Sequence, residues 1–391
     1  MVKPFQFARF PNIIFGTGKI KELPGIIEKY GKSVILVTGK NSFTQSPVYE
    51  NLIHAFTKYG IRHFHVIIPA EPSPEMIDHA VSLLNKESVD IVVSVGGGSV
   101  LDAGKAISAM MYKAESVKEF LEGVGTMEHP GIKLPFIAIP TTSGTGSEAT
   151  KNAVISQVGK DGFKRSLRHD NFVPDIAIVD PALTLNCPKE ITASSGMDCF
   201  TQLTEAYLSD KSNQYTNALS MEGLKVIKSS IVRSYINGED IEARAGMSFA
   251  AMTSGICLAN AGLGVVHGFA ASIGGMYNIP HGVVCGTLMA KANELNIREL
   301  RKVPSGEASL KKYACLGRLF LDEAGKSDDF YIEGFIRYLH GLTYELKLPG
   351  LKRFGIEEKD IELICKNTEN KNNPVKLRLE YLIEIIIDRL N

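Results

Sequence analysis

Hydrophobic and polar positions follow two different rhythms along the 391-residue chain, and the change falls near residue 183. Before it, four short apolar runs are typical of buried strands: SVILVT (33–38), HFHVII (63–68), DIVVSV (90–95) and PFIAIP (135–140). Amphipathic stretches separate these runs. One begins at Ser73-Pro74-Glu75, where an N-cap serine precedes a proline at the first helical position. This alternation predicts a parallel sheet covered by helices.

After residue 183, strand-like runs largely disappear and the pattern becomes helical. Four segments carry it: ITASSGMDCFTQLTEAYLS (191–209), NALSMEGLKVIKSSIVRSYI (217–236), EARAGMSFAAMTSGICLANA (242–261) and KLRLEYLIEIIIDRL (376–390). A polar loop, NTENKNNP (367–374), precedes the last of them. The chain is therefore predicted to combine an α/β domain with a parallel sheet at residues 1–182 and an all-α domain at residues 183–391.

A glycine-rich turn follows the third predicted strand, within VDIVVSVGGGSVLDAGKAISAM (89–110). Gly97, Gly98 and Ser99 would let the backbone approach a ligand closely, and the following helix would direct free N–H groups at an anion. A pyrophosphate group is the ligand that such a turn suits best, although a tight strand-to-helix turn without a ligand explains the same residues. A second such loop, IPTTSGTGSE (139–148), leaves the fourth strand.

The second loop is dense in hydroxyl groups. Thr141, Thr142 and Thr145 could hydrogen-bond phosphate, ribose or an adenine edge, and an ordinary polar turn is the alternative. Two such loops at strand ends of one sheet favour a ligand site, since α/β sheets bind ligands at the carboxyl ends of their strands.

The helical half contains a candidate metal site. Asp198 and Gln202 lie four residues apart and share a helix face. His267 and His281 flank a bend at Asn278-Ile279-Pro280 and can converge on one point. Two histidines and one carboxylate suit zinc or Fe(II) with an open position for substrate, although single histidines are more often structural.

Composition narrows the range of functions. Lys+Arg and Asp+Glu both total 43, which argues against a nucleic-acid partner. No apolar run reaches the roughly 18 residues expected of a membrane span. MVKPFQFARF (1–10) has neither a long apolar core nor a small-residue cleavage site, and the six scattered cysteines contain no CxxC pair. We therefore expect a cytoplasmic protein with reduced thiols.

Together these stretches resemble the iron-containing, or group III, alcohol dehydrogenase family, whose fold resembles that of dehydroquinate synthase. The resemblance extends over nearly the whole chain: FGTG (15–18), GGGSVLDAGK (96–105), PTTSGTGSEAT (140–150), DPALT (180–184), TASSGMD (192–198), LGVVHG (263–268), YNIPHG (277–282) and NNPVKL (372–377). It implies an N-terminal dinucleotide-binding domain, a helical C-terminal domain, and a cleft between them for a nicotinamide cofactor, a divalent metal (Fe or Zn) and a small alcohol or aldehyde.

The resemblance also implies roles for individual residues. The cofactor would contact Gly39, Gly97, Gly98, Ser99, Asp102, Thr141, Thr142, Thr145 and Lys164. The catalytic metal would be held by Asp198, His267 and His281, with Gln202 facing the same point. Asn152 and Leu258 would line the substrate pocket. The family further suggests a homo-oligomer, a dimer or larger.

Three positions depart from the family pattern. Gln202 and Ala271 each stand where the family usually has histidine. Ala271 cannot relay a proton, so bound water or ribose hydroxyls would have to serve. Gly39 replaces the aspartate of many NAD-using members, and we therefore expect NADP(H) to be favoured over NAD(H). The predicted activity is metal-dependent reduction of an aldehyde or oxidation of an alcohol. The alternatives are a polyol or polyol-phosphate dehydrogenase of the same fold and a nucleotide-binding protein that has lost its chemistry.

Overall fold

The computed structural model describes residues 4–159 and 162–391. Within them, eight strands lie in the first 180 residues: β1 (Asn12–Phe15), β2 (Ser33–Gly39), β3 (Arg62–Ile68), β4 (Ile91–Gly96), β5 (Phe136–Pro140), β6 (Asn152–Gln157), β7 (Phe163–Arg168) and β8 (Ile176–Val179). Six form a parallel sheet in the order β1-β8-β5-β4-β2-β3, and β6 and β7 form an antiparallel hairpin.

The four strands predicted from apolar runs are confirmed as β2, β3, β4 and β5. Every residue of β4 and β5 is buried, as are the first six of β2, and strands covered on both faces read as continuous apolar runs. The short edge strand β1, the strand β8 and the hairpin were not among the predicted strands. The hairpin includes polar residues such as Asn152 and Lys164, which do not give an apolar run.

Four helices accompany the sheet: α1 (Leu23–Ile27), α2 (Pro47–Lys58), α3 (Pro74–Leu84) and α4 (Gly98–Met110). The predicted start of α3 is confirmed, because the Ser73 hydroxyl accepts a hydrogen bond from the Met76 N–H at 3.4 Å. Helix α4 is almost wholly buried between the sheet and the hairpin. At Gly104 a methyl group would lie 1.7 Å from the Ser94 hydroxyl, so only glycine permits this packing.

The second half is helical throughout its described length, as predicted. Its helices are α5 (Lys189–Leu208), α6 (Gln214–Ile236), α7 (Ile241–Ala261), α8 (Val265–Met276), α9 (His281–Leu300), α10 (Glu307–Phe320), α11 (Asp328–Glu345), α12 (Glu358–Asn367) and α13 (Leu379–Asp388). Among the described residues, no single helix is long and apolar enough to cross a bilayer; α7 and α8 meet that criterion only jointly, across a 99° bend.

The loop after β5 packs against helices of the second half. A side chain at Gly144 would collide with Ser195 of α5 at 2.8 Å, and one at Gly146 would collide with the backbone of Gly255 of α7 at 2.5 Å. Gly146 also has a positive φ of 63°, which favours glycine. The loop's glycines therefore serve close packing between the sheet half and the helical half. The domain boundary after residue 182 stays a prediction, located between the end of β8 and the start of α5.

Candidate metal centre and cofactor cleft

Three helices bring the predicted metal ligands together. Asp198 lies in the middle of α5, His267 in the first turn of α8, and His281 at the start of α9. The Nε2 atom of His267 lies 3.2 Å from Asp198 Oδ1, and that of His281 lies 3.7 Å from the same oxygen. The bend between α8 and α9 thus makes the two imidazoles converge on one carboxylate, as the sequence predicted.

Glu205 fixes the orientation of His267. Its two carboxylate oxygens accept hydrogen bonds from the Val266 N–H at 2.8 Å and from His267 Nδ1 at 2.7 Å. Because Nδ1 donates to Glu205, Nε2 is the ring atom directed at Asp198 Oδ1. Two acceptor atoms at 3.2 Å require a proton or a cation between them.

The charges of the cluster are strongly perturbed. Burial opposes ionisation of Asp198, but His281, His267 and Gln202 together lower the pKa of its carboxyl to about 2. Burial lowers the pKa of His281 to about 4, so this ring is neutral near pH 7. Burial also acts to lower the pKa of His267, but contacts with Cys285, Asp198 and Glu205 raise it well above its usual range.

Gln202, which was expected to face the same point as the three ligands, lies beside this cluster. Its side-chain nitrogen donates to Asp198 Oδ1 at 3.2 Å, and its oxygen accepts a hydrogen bond from the Ser254 hydroxyl at 2.9 Å. In this orientation the amide oxygen is engaged by α7 rather than directed at the point between the two histidines.

Cys285 completes the cluster, and the sequence analysis missed it. It is fully buried in α9, one turn after His281, and its Sγ lies 3.7 Å from Nε2 of both His267 and His281. One ligand atom from each of Asp198, His267, His281 and Cys285 lies within 4.8 Å of the others. The four-residue spacing from His281 was the available signal, since it places both side chains on one helix face.

This donor set fits a divalent transition metal. A carboxylate oxygen and two imidazole nitrogens are ligands shared by zinc and iron, and a cation bound between His267 Nε2 and Asp198 Oδ1 would take the place of the imidazole proton. Glu205 supplies the outer carboxylate that commonly orients a metal-binding histidine.

The cluster opens into a cavity of about 420 Å³ between the two halves. Seven residues predicted to contact cofactor or substrate line this cavity: Gly98, Ser99, Asp102, Thr145, Lys164, Asn152 and Leu258. Ala271 lines it as well. The other four, Gly39, Gly97, Thr141 and Thr142, do not line this cavity, although Gly97 is the N-cap of α4 and adjoins its first residue.

Several of these side chains already have protein partners. Asp102 accepts hydrogen bonds from the Ser147 hydroxyl and, at 3.1 Å, from the Val154 N–H. Lys164 donates to Glu71 at 3.1 Å, and Ser99 donates to the same carboxylate at 3.1 Å. The residue Glu71 was not singled out from the sequence, yet it lines the cavity and links the glycine-rich turn to the hairpin.

A parallel sheet with a glycine-rich turn at one strand end, a helical half, and a carboxylate–imidazole cluster in the cleft between them define a two-domain, metal-dependent dehydrogenase class. Comparison with known proteins agrees. Residues 11–181 match the family model described as iron-containing alcohol dehydrogenase, and residues 192–389 match that of the Fe-containing alcohol dehydrogenase family, C-terminal. The chain belongs to the iron-containing alcohol dehydrogenase family.

Individual relatives cover nearly the whole chain. An alcohol dehydrogenase from Oenococcus oeni superposes with a TM-score of 0.88 at 30% identity, covering 99% of this chain and 100% of that one. The NAD-dependent methanol dehydrogenase of Bacillus methanolicus is 28% identical over 97% of this chain and 98% of its own. The NADPH-dependent butanol dehydrogenase of Clostridium saccharobutylicum is 29% identical over 90% of this chain and 87% of its own.

Proposed function

We propose that the chain transfers a hydride between NADP(H) and a small alcohol or aldehyde, beside a divalent metal held by Asp198, His267 and His281. The observation that carries this proposal is the convergence of one carboxylate and two imidazoles at the inner end of a cleft between the two halves. Family membership supports the reaction class.

The chain's own residues would position the reactants. The start of α4 offers free backbone N–H groups for the pyrophosphate, since its N-cap, Gly97, provides no capping side chain. Asn152 and Leu258 would bound the substrate. A bound metal supplies Lewis acidity, which polarises a carbonyl group and stabilises negative charge on its oxygen. Ala271 has no titratable group, so protons would reach the site through water.

The choice of NADP(H) rests on the carboxyl end of β2. Lys40, Asn41 and Ser42 follow Gly39 there and are exposed, so they can offer a charge and hydrogen bonds to a 2′-phosphate. Two of the three named relatives use different cofactors, NAD and NADPH, so family membership leaves this choice open.

The test follows NADPH absorbance with a panel of short aldehydes, using protein stripped of metal and then supplied with zinc, iron, cobalt or manganese. We expect activity to return with at least one metal in the wild type and with none in Asp198→Ala. If the wild type binds NADPH but none of the metals binds or affects aldehyde reduction, the metal-dependent reaction is wrong. The alternative, a nucleotide-binding protein that has lost its catalytic activity, then replaces it.

A further inference from the structure

The group of side chains at the predicted metal site includes a fourth donor atom, the sulfur of a cysteine. The position usually held by a third histidine is Gln202, whose amide oxygen accepts from Ser254. On α9, the Cys285 sulfur lies against both imidazoles at 3.7 Å and is fully buried. Both imidazoles lie within hydrogen-bonding distance of the sulfur. A thiol therefore lies at the metal cluster of a chain that lacks the third histidine.

We propose that Cys285 is a metal ligand and that, with Asp198, His267 and His281, it completes a four-donor metal centre. The inference rests on the proposed function, because it adds a ligand to the same metal. It concerns the identity of the donor rather than the reaction.

The distances match the coordination sphere of zinc. Zinc lies about 2.0–2.1 Å from nitrogen and about 2.3 Å from sulfur, so tetrahedral geometry separates sulfur from nitrogen by about 3.6 Å. The two sulfur–nitrogen distances here are 3.7 Å. The same geometry separates oxygen and nitrogen ligands by about 3.3 Å, and the two oxygen–nitrogen distances are 3.2 Å and 3.7 Å. Four of the six distances between the donor atoms are thus close to those of a tetrahedral zinc site, and all six are within 4.8 Å.

The chemistry of the donor suits zinc. Thiolate is a soft ligand that favours zinc over metals that prefer oxygen donors. In the metal-free protein, burial raises the pKa of the Cys285 thiol to about 12. A coordinating divalent ion deprotonates a thiol outright, so binding would form one metal–sulfur bond and release the thiol proton to solvent.

Cobalt(II) provides the direct test, because cobalt bound to thiolate shows a near-ultraviolet charge-transfer band that nitrogen and oxygen ligands do not give. The metal-free wild-type protein is titrated with cobalt and compared with Cys285→Ser. Cys365→Ser is the matched control, since Cys365 is also buried but lies in α12. We expect the band at one cobalt per chain in the wild type and in Cys365→Ser. In Cys285→Ser we expect cobalt to bind without the band, and about tenfold or more weakly.

Stoichiometric cobalt binding in the wild type without the band, or a band that persists in Cys285→Ser, would overturn the proposal while leaving the metal centre intact. Failure of cobalt and zinc to bind the wild type at all would instead overturn both the metal centre and this inference. If Cys285→Ser does not fold, X-ray absorption at the zinc edge of the wild type decides. One sulfur at about 2.3 Å supports the proposal, and a shell of nitrogen and oxygen alone refutes it.

Discussion

At the scale of single residues, Glu205 orients a predicted metal ligand, His267, without being a ligand itself. Its carboxylate accepts from two donors at once, the Val266 N–H and His267 Nδ1. A glutamine of the same shape has one acceptor oxygen and one donor nitrogen, so Glu205→Gln leaves one of these donors facing another donor. We expect metal affinity to fall about 10–100-fold, measured by competition with a chromophoric zinc chelator.

The same substitution elsewhere provides the control for this prediction. Glu222 is an exposed residue of α6 paired with Lys225, and Glu222→Gln should leave zinc affinity unchanged. Equal zinc affinity in folded Glu205→Gln and in the wild type would show that Glu205 does not orient His267 for a metal.

Part of this cluster could be predicted from residue types and spacing. Asp198, His267 and His281 could be identified because carboxylate and histidine are common ligands. Glu205 lies seven residues after Asp198, two turns along α5, and Cys285 lies four residues after His281. Helical spacing thus places Glu205 and Cys285 on the same helix faces as these ligands. Spacing alone does not reveal which residues on such a face point to the metal site. That depends on how α5, α8 and α9 pack together.

At the scale of elements, the glycine-rich turn contains two glycines, and the space around the Cα atom differs between them. A methyl group at Gly97 would lie 3.4 Å from Thr142 Oγ1, which the fold can accommodate, whereas one at Gly98 would lie 2.7 Å from Thr145 Cγ2. Gly97→Ala should therefore fold normally but hinder an anion at the start of α4. We expect NADPH to bind about tenfold more weakly, a loss of about 1.4 kcal/mol, by calorimetric titration.

Gly98→Ala makes a useful contrast, because it should lower the free energy of unfolding itself by about 1–3 kcal/mol through overpacking against Thr145. Wild-type NADPH affinity in folded Gly97→Ala would mean that the pyrophosphate lies elsewhere and that Gly97 serves only the turn.

The second loop contains a buried acid whose charge should affect stability. Burial raises the pKa of Glu148 to about 7, although its own backbone and the nearby Lys105 act in the opposite direction. In the unfolded chain the carboxyl ionises at its ordinary value of 4.5. The unfolded state therefore loses its proton first, and the contribution of Glu148 to stability should fall as pH rises from about 5 through 7.

Glu148→Gln should remove this contribution, so its stability relative to the wild type should rise by about 2 kcal/mol between pH 5 and pH 7. Denaturant unfolding between pH 5 and 7 measures it in a window where Lys105, whose pKa burial lowers to about 8, stays largely protonated. Parallel pH profiles for the two proteins would contradict the prediction.

At the scale of the whole molecule, the sheet order determines where the cofactor belongs. From β2 the chain adds β3 on one side and then crosses to add β4 on the other, so β2 and β4 flank the topological switch point. Ligands of open α/β sheets bind outside the carboxyl ends of strands at such a point. The alternation of elements could be predicted from the sequence, but the position of β8 between β1 and β5 could not, because short strands give no pattern that fixes their neighbours.

The switch point leads to a test of cofactor choice. Thr38 of β2 pairs with Val95 of β4, so Gly39 ends its strand beside the glycine-rich turn. A methyl group at Gly39 would lie no closer than 3.7 Å to Val100, which leaves room for a side chain. Aspartate there would accept hydrogen bonds from a ribose 2′-OH and repel a 2′-phosphate. Gly39→Asp should therefore shift the ratio of kcat/KM for NADPH over NADH towards NADH by about tenfold or more, equivalent to about 1.4 kcal/mol.

Gly39→Asn separates charge from size in this experiment, since asparagine fills the same space without a negative charge. We expect Gly39→Asn to keep most of the wild-type preference, because only a charge repels the 2′-phosphate strongly. A wild type that uses both cofactors equally or prefers NADH would refute the proposed NADP(H) preference. Identical ratios in Gly39→Asp and Gly39→Asn would place the 2′-phosphate away from the end of β2 and so contradict the cofactor orientation that the sheet order implies.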